Sequence, residues 1–496
     1  MARSASDGTI ARVRGALRSG DFRRLFAIRL AGQAGDGCFQ AALVASVVFA
    51  PTEHSTTVGL FKAALITALP FSLLGPFVGV FIDRWSRRRI LALAPLLKVA
   101  FVGLVLFDPV RQAVPFYLGA LVVLSINRFY LATASAVVPR LVPVEDLLMA
   151  NSLATVGGTL ALLVGVFVGG KIAGAVGSTP VVVIAGAGWL AAAAIATRIR
   201  SDLAPMAIRG PAAALQNEVR RVVAEMVDGA RMLVRTPRAI GPITSITLDQ
   251  VGQGVILTLA LVVFRDVFGA GVGSFSNVVG AGGIGVLAGI ASIGALEGRF
   301  SKEQIVASAF VIGGMALVLT GAYLRGWSIL VASFVVGLTF AWKKIPVDTM
   351  VQEALPDGYR GRVFSVYDVF YTSARIVAAA IAIALVPLLG TRGSVILIGM
   401  VFLVWAPVLP RWVGGVPDIR LVFAEGGRAE EWPRALRWGA AEEPVEVVRS
   451  WLEERGGERR RCFRLSLQDG TILDVSRLEP AGNWTIDRER EDQATG

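Results

Sequence analysis

Residues 79–89 read GVFIDRWSRRR, and residues 294–304 read GALEGRFSKEQ. In register, Gly79, Arg84, Trp85, Ser86 and Arg87 fall on Gly294, Arg299, Phe300, Ser301 and Lys302, an offset of 215. Two other places repeat at nearly the same distance: Pro143 falls on Pro356 and Asp36 on Asp249, both at 213. Apolar sequence does not readily reproduce charged and turn residues at three loci by chance. The chain therefore contains a duplicated unit, and each copy closes its second apolar run with a small residue and a basic loop.

What the unit is made of follows from composition and residue order. Hydrophobic residues make up 54% of the 496 and charged residues 17%, with a mean hydropathy of +0.63. A water-soluble chain of this length needs more charge to cover its surface. Crossing ~30 Å of hydrocarbon takes a helix of roughly 20 apolar residues. Such runs lie near 26–49, 57–82, 89–108, 113–136, 147–173 and 179–198, then near 239–264, 273–297, 304–324, 327–346, 363–388 and 393–412. The expected fold is an all-α membrane protein of twelve transmembrane helices in two pseudo-symmetric six-helix bundles, 1–198 and 239–412. A basic linker, 199–238, joins them, and a small β-rich C-terminal domain, 418–496, follows. Duplication of this kind places a solute site between the halves near the bilayer midplane.

The net charge of +12 is not a nucleic-acid footprint, because it collects in alternate loops. Arg23 and Arg24 precede the first span, Arg84, Arg87, Arg88 and Arg89 follow the second, and Arg198 to Arg238 fill the linker. The intervening loops carry at most one basic residue each, such as Arg111 or Arg325. That bias orients both termini to the cytoplasm, with membrane lipids as neighbours; the expected location is the plasma (inner) membrane of a bacterium. Cys38 lies in the first span and Cys462 in the tail, a usage that fits a reduced, cytosol-facing protein. No phosphate-binding loop, zinc spacing or nucleophile elbow occurs, so neither an enzyme nor a cofactor or metal is expected.

The loop GVFIDRWSRRR resembles the cytoplasmic signature of the major facilitator superfamily: a Gly, then an Asp-Arg pair, then a basic cluster. VPRLVPVEDLLMANSL (138–153) and QEALPDGYRGRVFSVYD (352–368) are similar to the branch that holds siderophore and macrolide exporters. The resemblance covers about residues 20–412. It implies a cytoplasmic gate in which Asp83 faces the start of the eleventh helix near Gly361, with Gly79, Arg84, Arg87 and Arg88, and in the second copy Gly294 and Arg299, completing it. ALLVGVFVGG (161–170) partly resembles the family's antiporter signature, but Ala161 and Val166 depart from it, and plain helix packing accounts for its small residues.

Polar residues inside the spans mark the candidate transport site, since charge at that depth is costly. Gln33, Asp36 and Gln40 share one face of the first span, and Asp249 and Gln253, beside Gln250, repeat the arrangement on the seventh. Arg128 occupies the middle of the fourth span. In the family these helices line the central cavity, which makes Asp36, Arg128 and Asp249 the candidates for proton coupling, with Arg128 beside Asp36. Asp368, Tyr371 and Arg375 form a secondary group in which Asp368 and Arg375 are placed to pair with each other. Lys62 and Lys98, near span flanks, are expected to snorkel.

After Pro417 the chain becomes polar. CFRLSLQDGTILDVSRLE (462–479) alternates about Asp469-Gly470 as a hairpin does. EEPVEVVRSWLEERGG (442–457) begins as a strand and continues as strand or helix, and GNWTIDRER (482–490) adds another strand. Trp432, Trp438, Trp451 and Trp484 are the expected core aromatics. The functional expectation is a secondary active transporter that exports a hydrophobic or amphipathic small molecule, drug- or siderophore-like, against proton entry. Movement of lysophospholipid between leaflets is one alternative, and a membrane scaffold for the tail, whose partner is unknown, is another.

Overall fold

The computed structural model describes residues 15, 17–47, 49, 85–106, 114–201, 203, 212–355 and 357–413, and in the tail 419–423, 433–438, 441–455, 458–467, 472–478 and 485–490. The expected second span, with Gly79, Asp83 and Arg84, lies outside the described residues, as does Lys62. The chain divides into two compact units, 1–412 and 413–496.

The first unit is helical. In lipid the backbone must satisfy its own hydrogen bonds, and a helix does so within one segment. The helices are α1 (Gly20–Val47), α2 (Arg87–Leu106), α3 (Val114–Val137), α4 (Leu147–Val176), α5 (Ser178–Ala196), α6 (Ala212–Arg235), α7 (Pro237–Val262), α8 (Val272–Glu297), α9 (Lys302–Ala322), α10 (Gly326–Ala354), α11 (Asp357–Trp405) and α12 (Val408–Val413). Among the described residues, eight helices are long and apolar enough to cross a membrane. α1 and α2 are long as well, but each carries several charged side chains. α11 runs for 49 residues and is two helices in one, because Gly390 breaks it with φ +65°. Only glycine takes that conformation without strain, and the break separates the expected eleventh and twelfth spans.

The repeat at 86 and 301 has a local cause. Ser301 caps α9: its hydroxyl accepts from the Gln304 amide while the Gln304 side chain accepts from the Ser301 N–H. Ser86 stands at the same place directly ahead of α2, where its carbonyl accepts from the Ile90 N–H. The duplicated element is thus a helix start.

α1 is the hub of the first half, packed on α4 and α5. A Cβ at Gly37 would stand 2.2 Å from the Leu162 carbonyl oxygen, and one at Gly165 2.2 Å from that of Ala34. The glycines of 161–170 therefore serve helix contact. The two halves meet along α4 and α8. Gly170 faces Ser276, Gly174 faces Gly273, and the ring of Phe49 lies 6.0 Å from that of Phe275.

The second unit is a six-stranded antiparallel meander in the order β1 (Ile419–Phe423), β2 (Pro433–Trp438), β3 (Ala441–Arg455), β4 (Glu458–Leu467), β5 (Ile472–Leu478) and β6 (Thr485–Arg490). The segment 442–457 continues as strand, since β3 pairs with β4 as far as Arg455 opposite Glu458. One face forms the core from Leu421, Leu436, Phe463, Leu465, Leu467, Leu473 and Val475. Trp451 was expected there and instead lies on the opposite face, its ring between the guanidinium groups of Arg449 and Arg464 at 5.9 Å each. The bulge between Val447 and Arg449 shifts the alternation and accounts for this. Trp432 and Trp484 lie outside the described residues.

Candidate functional site

Lys98 is fully buried in the first bundle, contrary to the snorkelling expected of it. α2 begins at Arg87, so Lys98 stands about 16 Å along the helix axis at 1.5 Å per residue, too deep for its stem to reach water. Its Nζ donates to Asp36 Oδ1 at 2.6 Å and to Asn127 Oδ1 at 3.0 Å. The Trp189 indole N–H donates to the same Asp36 oxygen at 2.9 Å. The rings of Tyr130 and Trp189 each lie 4.9 Å from the ammonium. Four helices thus converge on one ion pair. The second Asp36 oxygen, Oδ2, is buried and accepts no hydrogen bond among the described residues.

The second bundle contains a counterpart. Lys343 Nζ donates to Asp249 Oδ1, both fully enclosed. The ammonium lies 4.8 Å from the Phe310 ring and 4.9 Å from the Phe402 ring. Asp249 corresponds to Asp36, Lys343 to Tyr130 and Phe402 to Trp189, each at 213 residues, and Phe310 corresponds to Lys98 at 212. The same four positions are used in both halves, but the lysine and one aromatic have exchanged helices. One further difference matters. Gln253 donates to Asp249 Oδ2 at 2.5 Å. Gln40, its counterpart at 213 residues, makes no such bond to Asp36, so the second-half acid is satisfied on both oxygens and the first-half acid on one.

These contacts correct the expected placement. Asp36 is 3% exposed and Asp249 0%, so both acids lie inside their own bundles and not on a cavity wall. Asp36 pairs with Lys98, not with Arg128. Arg128 instead reaches across the halves, its guanidinium 3.6 Å from the carboxylate of Asp368 on α11. The Asp368 side chain is 61% exposed, so this pair, unlike the two lysine pairs, is open to solvent. It also takes Asp368 away from Arg375, the partner expected for it. Arg375 lies where α11 crosses α7, 3.8 Å from a Cβ built at Gly254.

Of the other polar candidates, Gln33 is buried and accepts from Arg29 Nε at 3.2 Å, while Arg29 Nη1 donates to Ser135 Oγ at 3.2 Å. Gln250 is buried beside Asp249 and Gln40 is half-buried. Tyr371 stacks edge-on with Tyr367 at 6.0 Å. Lys344 lies 4.9 and 5.2 Å from those two rings and binds Asp348, which also accepts from the Tyr367 hydroxyl at 2.9 Å. Arg29, Lys343 and the Lys344–Asp348–Tyr367 group were not singled out from the sequence, and Lys98 was read there only as a flank residue. The signal available was the same repeat, carried through to 98, 130, 189 and their counterparts.

At the end of the bundle that carries the basic loops, the Arg87 N–H donates to the Leu203 carbonyl at 3.2 Å, and Arg88 Nη2 donates to the Thr197 carbonyl at 2.6 Å. These residues tie α2 to the segment after α5. Asp21, ahead of the first span, holds the same segment: its carboxylate accepts from the Arg200 and Ser201 N–H groups and the Ser201 hydroxyl. Burial alone would raise the Asp21 pKa, but bonds from Ser201, Arg200 and Arg24 together hold it at about 2. In the second copy, Arg299 belongs to the turn ahead of α9, where its N–H donates to the Leu296 carbonyl at 2.9 Å. A Cβ at Gly294 would meet no atom within 4 Å, so no close approach requires that glycine. Lys302 binds Glu353 and joins α9 to α10.

The family model described as Major Facilitator Superfamily matches residues 25–379. An uncharacterised MFS-type transporter of Mycobacterium tuberculosis is 29% identical over 398 residues, 76% of this chain and 88% of that protein. Macrolide efflux protein A of Streptococcus pyogenes is 31% identical over 122 residues, 24% of this chain and 30% of that one. A POT family transporter solved with a thioalcohol-conjugated peptide shares the fold, with a TM-score of 0.60 at 13% identity over 79% of this chain and 96% of its own. These relatives are described as transporters or efflux proteins, and none as an enzyme.

Proposed function

The chain belongs to the major facilitator superfamily, and from that premise we propose that it exports a hydrophobic or amphipathic small molecule in exchange for protons. As a member of that family it is a multi-pass membrane transporter and not an enzyme. Export of an amphipathic solute is supported by the local similarity to a macrolide efflux protein. A cytoplasmic position for both termini is supported by the alternation of basic and nearly uncharged loops.

The observation that carries the coupling is Asp36 Oδ2, a buried carboxylate oxygen with no hydrogen bond among the described residues. A proton added there neutralises the acid and removes the charge that holds Lys98. Lys98 also binds Asn127, whose neighbour on α3 is Arg128, the residue that spans the two halves to Asp368. Lys98 and Asn127 in this way connect the proton site to the pair that joins the halves. Asp249, bound on both oxygens by Lys343 and Gln253, serves as the fixed counterpart.

Proteoliposomes with an imposed pH gradient test this, with ethidium and erythromycin as probes and a trapped dye reporting internal pH. Wild type is expected to move a probe and protons together, and Asp36→Asn to lose the pH-driven flux while still binding the probe. Asp249→Asn is expected to lose less. Full pH-driven flux in Asp36→Asn would reduce the residue to a tie between helices.

A further inference from the structure

The helix between the two bundles, α6, is apolar over a wider arc than the protein covers. Its Gly229 lies against the backbone of α11, where a Cβ would stand 2.6 Å from the Arg362 carbonyl oxygen, and Leu233 one turn on is buried. Asp228 lies 3.9 Å from the Arg362 guanidinium and 3.6 Å from that of Arg231. At 100° per residue, Val223, Val227 and Val234 form a second stripe beside this packed face. They are 45%, 43% and 73% exposed. Next to that stripe, on the side away from α11, Arg220 and Arg231 share one meridian eleven residues apart, and both are exposed.

The position of the stripe is constrained by the chain. α6 ends at Arg235 and α7, a membrane-crossing helix, begins at Pro237. One residue cannot carry the end of α6 away from the membrane surface. Contact with the start of α11, a second crossing helix, holds its middle at the same level. An apolar stripe at that level, bordered by arginines and with exposed Arg238 opening α7, matches an amphipathic helix lying in an interface. The arginine stems lie along the apolar side while their heads reach the phosphates.

We propose that α6 lies in the adjoining leaflet, its three valines at the depth of the upper acyl chains and Arg220, Arg231 and Arg238 on anionic lipid headgroups. The occupant of the stripe is lipid, because the chain itself delivers it to the bilayer and the flanking charge complements an acidic surface.

Full-length protein carrying Cys38→Ser and Cys462→Ser would be spin-labelled at Val223→Cys, Val227→Cys, Val234→Cys and, on the polar side, Arg221→Cys. Single copies would be placed in nanodiscs of phosphatidylcholine, with or without phosphatidylglycerol. At the three valine positions, collision with dissolved oxygen is expected to exceed collision with a water-soluble nickel chelate, and Arg221→Cys is expected to show the reverse. With phosphatidylglycerol present, Arg220→Gln or Arg231→Gln should each lower the ratio of inserted to lifted helix at Val227→Cys about fivefold. Equal nickel access at all four positions would overturn the proposal. So would insertion indifferent to phosphatidylglycerol, and so would protection seen only when two copies share a disc, which would assign the stripe to a dimer contact.

Discussion

An ammonium removed from water is stable only while its partners remain, and Lys98 has one full charge, one amide oxygen and two ring faces to replace its hydration. Lys98→Met therefore leaves the Asp36 carboxylate buried against an apolar chain and is expected to cost about 3–5 kcal/mol, read as a lower unfolding midpoint in detergent. The double substitution Asp36→Leu, Lys98→Met removes both charges and is expected to recover most of that stability without recovering pH-driven flux. Recovery of both would show that the pair only packs. Asp21 gives a second, milder prediction. Its folded pKa, about 2, is below the unfolded carboxylate value of about 3.9, so its contribution is fully present above that value and is lost as pH falls towards 2. Because the group is at the bundle's wet end, the contribution is expected to stay under about 1 kcal/mol. The midpoint difference between wild type and Asp21→Asn should be constant from pH 8 to pH 5 and should narrow below about pH 4.

At the scale of elements, the halves close on each other where small residues let α4 and α8 touch. Gly170 is the tightest place for a wedge, since a Cβ there would stand 2.6 Å from that of Ser276. Gly170→Leu is expected to spread this end of the bundles, seen as faster alkylation of a cysteine introduced at Ser276. An unchanged rate would mean that α4 and α8 are not a moving contact. The described elements were legible where a local pattern marks them: long apolar runs for the helices and alternation for the strands. What was not legible was which face of a span points inward. Lys98, read as lying near a flank, proved to be deep because α2 starts at Arg87. Asp36 and Gln40 were placed on one face from their spacing alone. Spacing along one helix does not reveal that Trp189 and Lys98, from two other helices, occupy the volume in front of that face.

For the whole molecule, the two compact units make the tail separable in principle. The helical unit ends at 412, and the ion pairs that tie its bundles internally, Asp36–Lys98 and Asp249–Lys343, draw on no residue beyond it. The sheet likewise has its own core among the described residues, running from Leu421 to Val475. Its outer row is self-contained as well, with Asp474 binding Arg464 through both oxygens, which raises the arginine's pKa. Deleting 418–496 should therefore leave a protein that inserts, purifies as one monodisperse species and unfolds at nearly the same temperature as the full chain. The isolated segment 413–496 should be the weaker of the two, because a domain of this size buries a smaller fraction of its surface than a larger one does. Flux measured on the truncated protein then separates two roles for the sheet. Unchanged flux would make it a passenger, and loss of flux at an unchanged unfolding temperature would make it a regulator of a transporter that folds without it. Aggregation of the truncated protein would show that the helical unit depends on the tail after all.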